Sequence, residues 1–233
     1  MQFIIDEKVF KILPEVCFGV VIARDLDNSG NNKEIWGLLE QSIEETRNKF
    51  GSIKPKEHRD LQPYRDSFKK MNINPNKFPC SVEALTSRIV KGNNLPDINP
   101  AVNLVNAYSL KYSLPMGAHD LDTDEGSIEV RFSRKGDLFI PFGQTDPEMI
   151  EEEELVYASG HNIKTRKWIW RQSDRGMVTA RSKNIFFPID GFTNYNLERV
   201  ISARDKMAAD LERILNARIT KKFLDRNNRM VQL

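Results

Sequence analysis

Apolar residues recur along this chain at two different spacings, and the changes between them divide it into helical and extended stretches. Ile35, Leu38, Leu39, Ile43 and Phe50 fall at helical spacing over residues 33–50, and Gly51 closes the run. Tyr64, Phe68 and Met71 form one face of a short helix whose other face is Arg65, Lys69 and Lys70. Ser81 precedes Val82, Leu85, Ile89 and Val90, and Gly92 stands where that helix stops. Asn99-Pro100 repeats the device, with Asn as the cap, Pro at the first helical position and Val102, Val105 and Leu110 turned inward. A last, long helix is predicted over residues 194–225, with Leu197, Val200, Ile201, Leu211, Ile214, Leu215 and Phe223 on its inner face.

Between these lie extended stretches. Val9, Phe10 and Ile12, then Val16, Phe18, Val20, Val21 and Ile22, alternate loosely and predict a short strand followed by a buried one. Residues 27–32 (DNSGNN) read as a turn. Ile128, Val130 and Phe132 alternate with polar neighbours as a half-buried strand does. Arg134-Lys135-Gly136-Asp137 predicts a hairpin turn into residues 138–143, and residues 155–158 and 163–172 predict further strands. Helices early, strands in the middle and a helix last predict an α+β fold in one domain spanning residues 1–233.

Composition removes several classes of function. At 39% hydrophobic and 29% charged residues the chain has the make-up of an ordinary soluble protein, and no run approaches the ~18 apolar residues of a membrane span. MQFIIDEKVF has no signal-peptide pattern, and Cys17 and Cys80 are far apart, which fits buried thiols in a reducing cytoplasm. His58 reads as a surface histidine. Net charge is +2, but unevenly spread: residues 164–233 hold 16 Lys and Arg against 7 Asp and Glu. That excess suits either a phosphate-tracking surface or a solvated helix face.

Two stretches carry candidate chemistry. In His119-Asp120-Leu121-Asp122-Thr123-Asp124-Glu125 the alternating acids resemble a calcium loop, but the glycine falls one place late at Gly126 and Arg131 holds the closing glutamate position. No metal or other cofactor is expected. His119 beside Asp120 reads as a general base with a carboxylate holding its tautomer, or as a structural hydrogen-bonder. In Lys164-Thr165-Arg166-Lys167-Trp168-Ile169-Trp170-Arg171-Gln172 a strand would put Arg166, Trp168, Trp170 and Gln172 on one face. Such tryptophans stack an adenine or an amino-acid ring, or fill a core. Ser173, Asp174, Arg175, Thr179 and Lys183 follow as a polar loop. The basic faces, namely Arg65, Lys69, Lys70, Arg88, Arg166, Lys221 and Lys222, are the candidates for RNA contact or for simple solvation. No P-loop, dinucleotide fingerprint or nucleophile elbow occurs.

PYRDSFKKMNINPNKFPCSVEALTSRIVKGNNLPDINPAVNLVNAYSLKYSLPMGAHDLD, residues 63–122, resembles the tRNA-binding and editing module of the phenylalanyl-tRNA synthetase β subunit, its B-three/B-four domain. The resemblance continues more loosely to Phe187. It implies a β-sandwich of unusual topology with helices layered against it, β/β/α. It also implies tRNA or aminoacyl-tRNA as partner, with no DNA and no membrane, and hydrolysis of mischarged aminoacyl-tRNA in trans by a positioned water. A non-catalytic module binding tRNA or an amino-acid-like ligand is the alternative. On this likeness His119 and Asp120 are the catalytic candidates. Trp168, Trp170, Arg171, Gln172, Asp174, Thr179 and Asn99 are the substrate-binding ones, with Gln172 or Asp174 the nearest to a hydroxyl-reading side chain. The synthetase turn commonly reads Q-P-M-H-A-F-D. Here it is Leu114-Pro115-Met116-Gly117-Ala118-His119-Asp120, with glycine in the histidine's place and the histidine two residues later.

Overall fold

The computed structural model describes residues 1–51, 53–123 and 126–233; Asp124 and Glu125 of the acidic stretch lie outside them. The chain opens with β1 (Gln2–Ile5), α1 (Glu7–Ile12), β2 (Val16–Arg24) and α2 (Lys33–Phe50). Two 3-10 turns lead to α3 (Gln62–Lys70), α4 (Ser81–Val90) and α5 (Pro100–Tyr112). A run of strands follows: β3 (His119–Asp120), β4 (Ile128–Phe132), β5 (Leu138–Phe139), β6 (Glu148–Met149), β7 (Leu155–Ser159), β8 (Asn162–Arg166), β9 (Arg171–Gln172) and β10 (Ile185–Phe192). The chain closes with α6 (Leu197–Leu215), β11 (Arg218–Leu224) and β12 (Met230–Gln232).

Among the described residues the strands form two sheets. One has the order β12-β1-β4-β7-β8-β5-β6, with β9 added to β8; the other is β11-β2-β10-β3. Aromatic side chains knit them face to face: Phe3 of β1 meets Phe18 of β2 edge-on at 5.9 Å and Phe186 of β10 at 4.8 Å. The far side of the smaller sheet is covered by α6, which packs on β2, β10 and β11, and α5 and α2 lie outside it. The order of layers is sheet, sheet, helices, as the resemblance implied. Gly191 makes the close packing of β10 on α6 possible, since a Cβ there would lie 2.3 Å from Val200 Cγ2.

Four sequence expectations change. Val9, Phe10 and Ile12 belong to a helix, not a strand, because Asp6 caps it by accepting from the Lys8 amide at 2.9 Å. The Arg134–Asp137 turn makes no hairpin: β5 pairs with β8 and β6, not with β4. The last helix ends at Leu215, where Asn216 takes the left-handed conformation at φ 55, and the β-branched Ile219-Thr220 continue as β11 paired to β2. His58 is half-buried against the Phe50 ring at 4.4 Å rather than on the surface. No helix among the described residues is long and apolar enough to cross a membrane.

Candidate functional site

Between the two sheets lies a cavity of about 60 Å³, lined by His119 and Gly117 from the turn into β3, Tyr157 of β7, Thr165 of β8, Pro188 and Asp190 of β10, Gln172 of β9 and the 168–170 turn. Strand alternation explains the contribution of β10: Phe186, Pro188 and Asp190 share the face turned to the larger sheet, while Gly191 meets α6. The segment before β3 runs along β10, with the Gly117 amide donating to the Pro188 carbonyl at 3.0 Å and the Asp190 amide to Pro115 at 3.0 Å. Glycine at 117 lets this strand approach, because a Cβ would sit 3.3 Å from both His119 Nε2 and Pro188 Cγ.

His119 is buried between Tyr157 and Phe186, its ring nearly parallel to each at 5.9 and 6.1 Å. Its Nδ1 has no hydrogen-bond partner among the described residues, and its Nε2 borders the cavity beside Gly117. Burial, with the charge of Lys164 adding to it, pushes its pKa down to about 3, so the imidazole is neutral at physiological pH. It hydrogen-bonds water well but takes up a proton poorly. Asp120 does not hold its tautomer. The Asp120 carboxylate points away, accepting from the Ser182 hydroxyl and, at 2.9 Å, from the Asp122 amide.

The carboxylate that lines the cavity is not Asp120 but Asp190. Tyr157 Oη and Trp168 Nε1 both donate to its Oδ1, at 2.8 and 2.7 Å. Both bonds fall on the same oxygen, and Asp190 is one of the residues lining the cavity. Burial raises its pKa to about 7, and the two donors only partly oppose this. The signal was present in the sequence: Asp190 is the one ionisable residue in Ile-Phe-Phe-Pro-Ile-Asp-Gly-Phe, a run that otherwise reads as wholly buried.

The tryptophan stretch is not a continuous strand. Residues 167–170 form a turn, with Lys167 and Trp168 at φ 47 and 62, a left-handed conformation that non-glycine residues adopt at a cost. Glu154 holds the turn by accepting from Arg166 Nε and Nη2 at 3.0 and 2.9 Å and from Lys167 Nζ at 2.6 Å. The turn sends Trp168 into the core, fully buried, and leaves Trp170 at the cavity wall, edge-on to Phe78 at 4.7 Å. Gln172 also lines the cavity, its Nε2 donating to the Ala118 carbonyl at 2.9 Å. Arg171 stacks over Trp170, 6.0 Å from the ring centre.

Other candidates sit elsewhere. Asn99 caps α5, accepting from the Val102 amide at 3.0 Å, and is tied to Asn28, which in turn donates to the Thr179 carbonyl at 2.7 Å. Asp174 accepts from the Gly143 amide at 3.3 Å. None of these three lines the cavity. Arg65 is buried in an ion pair with Glu83 at 2.6 Å, so Glu83 is held by that partner as well as by its helix terminus. Arg166 is engaged by Glu154, Lys69 by Asp66 at 2.9 Å and Lys221 by Asp205 at 3.1 Å, while Arg88 donates to the Asn94 carbonyl at 2.9 Å. Among the described residues no cluster of His, Cys, Asp and Glu has the arrangement of a metal site.

Comparison with known proteins completes the description. An N-terminal fragment of the phenylalanyl-tRNA synthetase β subunit from Pyrococcus horikoshii aligns with 95% of this chain and 53% of its own, at 14% identity and a TM-score of 0.48. The phenylalanine–tRNA ligase β subunit of Fusobacterium nucleatum is 31% identical over 124 residues, 53% of this chain. This chain spans only 15% of that relative's length. Residues 63–233 match the family model of the B3/4 domain, and the chain belongs to that family.

Proposed function

We propose that this protein acts on aminoacyl-tRNA and discharges mischarged amino acids in trans by hydrolysing the ester. Its family membership and its relation to a tRNA ligase subunit support the substrate class. One observation carries the reading to chemistry: a half-open cavity between the sheets is lined by the His119 imidazole and by the Asp190 carboxyl group, of which Tyr157 and Trp168 engage one oxygen. Such a space holds a water and a small acyl group, and little more.

In this reading the aminoacyl carbonyl enters past Trp170, and His119 Nε2 accepts a hydrogen bond from the attacking water. The neutral ring orients that water and does not ionise it. The water oxygen bonds to the carbonyl carbon, the ester C–O bond breaks, and the water's proton ends on the departing ribose oxygen, passed through the neighbouring hydroxyl of the terminal ribose. No covalent intermediate on the protein is needed. Lys70 and Lys222, which have no ion-pair partner among the described residues, are the basic side chains offered to the RNA. The small volume supports a second reading, a binding module without turnover.

The test is deacylation of a panel of aminoacyl-tRNAs by wild type, His119→Gln and Trp170→Ala. We expect release of one or two amino acids, slowed at least tenfold by His119→Gln. Survival of every ester while uncharged tRNA still binds would replace the catalytic reading with the binding one.

A further inference from the structure

We infer that the cavity is an ammonium receptor: Asp190 Oδ2 pairs with the free α-amino group of the bound amino acid, and the space beyond it admits only a small side chain. The inference rests on the reading that this site takes an aminoacyl group, and it adds which end of that group is recognised and what size is accepted.

Charge is the first argument. Among the described residues the cavity wall contains one carboxylate and no lysine or arginine. A buried carboxylate lacking a cation is costly to ionise, and a ligand that supplies the cation removes that cost. Geometry is the second. Tyr157 and Trp168 both donate to Oδ1 and so fix the carboxyl group of a residue that lines the cavity, and neither of them occupies Oδ2. The remaining polar lining favours a donor ligand: Gln172 has spent its amide on Ala118, so its Oε1 is left to accept, and neutral His119 can accept at Nε2. Aromatic rings of Tyr157, Trp168 and Trp170 complete surroundings that suit a cation. Size is the third. A cavity of about 60 Å³ is well below the ~150 Å³ of a closed cavity that accommodates a benzene ring, so glycine, alanine or serine suits the space better than an aromatic side chain does.

The groups facing Asp190 make it the titrating member of this set near neutrality. Tyr157 of β7 and Tyr64 of α3 are held well above their ordinary range by burial, Cys17 of β2 is pushed up to about 12, and His119 of β3 stays neutral. The carboxylate forms above about 7, and an α-ammonium is lost above roughly 8. Amine binding therefore peaks between these values.

The test uses the full chain and two small probes, L-alaninamide and N-acetyl-L-alaninamide, titrated by calorimetry from pH 6 to 9. The expected result is binding of L-alaninamide alone, strongest near pH 7.5, and weakened at least tenfold in Asp190→Asn. Equal binding of the two probes by wild type overturns the inference without relying on any variant; so does full binding by Asp190→Asn. A parallel deacylation assay compares alanyl-tRNA with N-acetyl-alanyl-tRNA. Asp190-dependent amine binding with no ester hydrolysed leaves the receptor standing and removes the deacylase. Equal hydrolysis of free and acetylated esters does the reverse.

Discussion

Asp137 and Asp190 are both removed from solvent, and the protein treats them in opposite ways. Around Asp137, at the turn into β5, the Arg131 guanidinium donates to both carboxylate oxygens at 2.6 and 3.0 Å, the Arg134 amide adds a bond at 2.8 Å, and His161 closes the set at 3.1 Å. Burial alone would raise its pKa, but these donors outweigh it and hold the group below the usual carboxylate range. Asp190 has two neutral donors on one oxygen and no cation, and burial wins. A carboxylate whose bonds are all filled from within joins loops together. One left half-filled has affinity to spare for something outside the chain. Burial alone does not separate these roles; the partner count does.

The comparison breaks most visibly at Arg131. Arg131→Met strands the Asp137 carboxylate in a dry site, and unfolding in urea at pH 7 is expected to show a loss of about 3–5 kcal/mol. A loss below 1 kcal/mol would mean that water reaches Asp137 and that the pairing contributes little.

Asp190→Asn should act in the other direction. The folded pKa of Asp190 is raised from 3.8 to about 7, so its stabilising contribution is complete below about pH 4 and is lost as pH rises through 7. Asparagine keeps an oxygen for Tyr157 and Trp168 and has nothing to ionise. The variant should therefore gain on the order of 3 kcal/mol over wild type between pH 4 and pH 8, measured as the change in unfolding free energy. A constant difference across that range would show that Asp190 is not held protonated.

His119 gives the smallest effect, with the opposite sign. Its folded pKa lies near 3 against 6.5 for the free imidazole, so its contribution is complete above 6.5 and is lost as pH falls through 3. From pH 7 to 5 wild type should lose about 2 kcal/mol more stability than His119→Gln. Between about pH 4 and 6.5 the slopes from Asp190 and His119 cancel in wild type, so wild type and the double variant should run parallel there. Parallel pH curves for wild type and His119→Gln would place the ring in contact with water.

Much of the scaffold was legible in the sequence because its helices carry their own punctuation. Asn99-Pro100 and Gly51 set ends that the structure reproduces, since capping is decided within a few residues. The 194–225 prediction overran because Leu197 to Phe223 keeps an inward apolar pattern through two element types, and only the left-handed Asn216 marks the change. The site was half legible. His119, Trp170 and Gln172 do meet at one cavity, brought together by β3 and the turn before β9. Asp190 was passed over because its role depends on Tyr157, 33 residues away, and on Trp168, 22 residues away. Pairings at that separation are set by sheet register, which no local pattern encodes. The burial of Arg65 is hidden for a similar reason, since its helical spacing looks outward until Glu83 comes to meet it.

The wall of the cavity formed by residues 168–170 belongs to a connection rather than to a strand. Inserting or deleting one residue in a strand turns every later residue to the opposite face, whereas a connection, here anchored at its base by Glu154, absorbs such a change. Within this turn Trp168 is tied to the core and to Asp190, so Trp170 is the position where the cavity wall can change at least cost. Substitution of Trp170 alone is the natural route to a cavity of altered size on an unchanged frame.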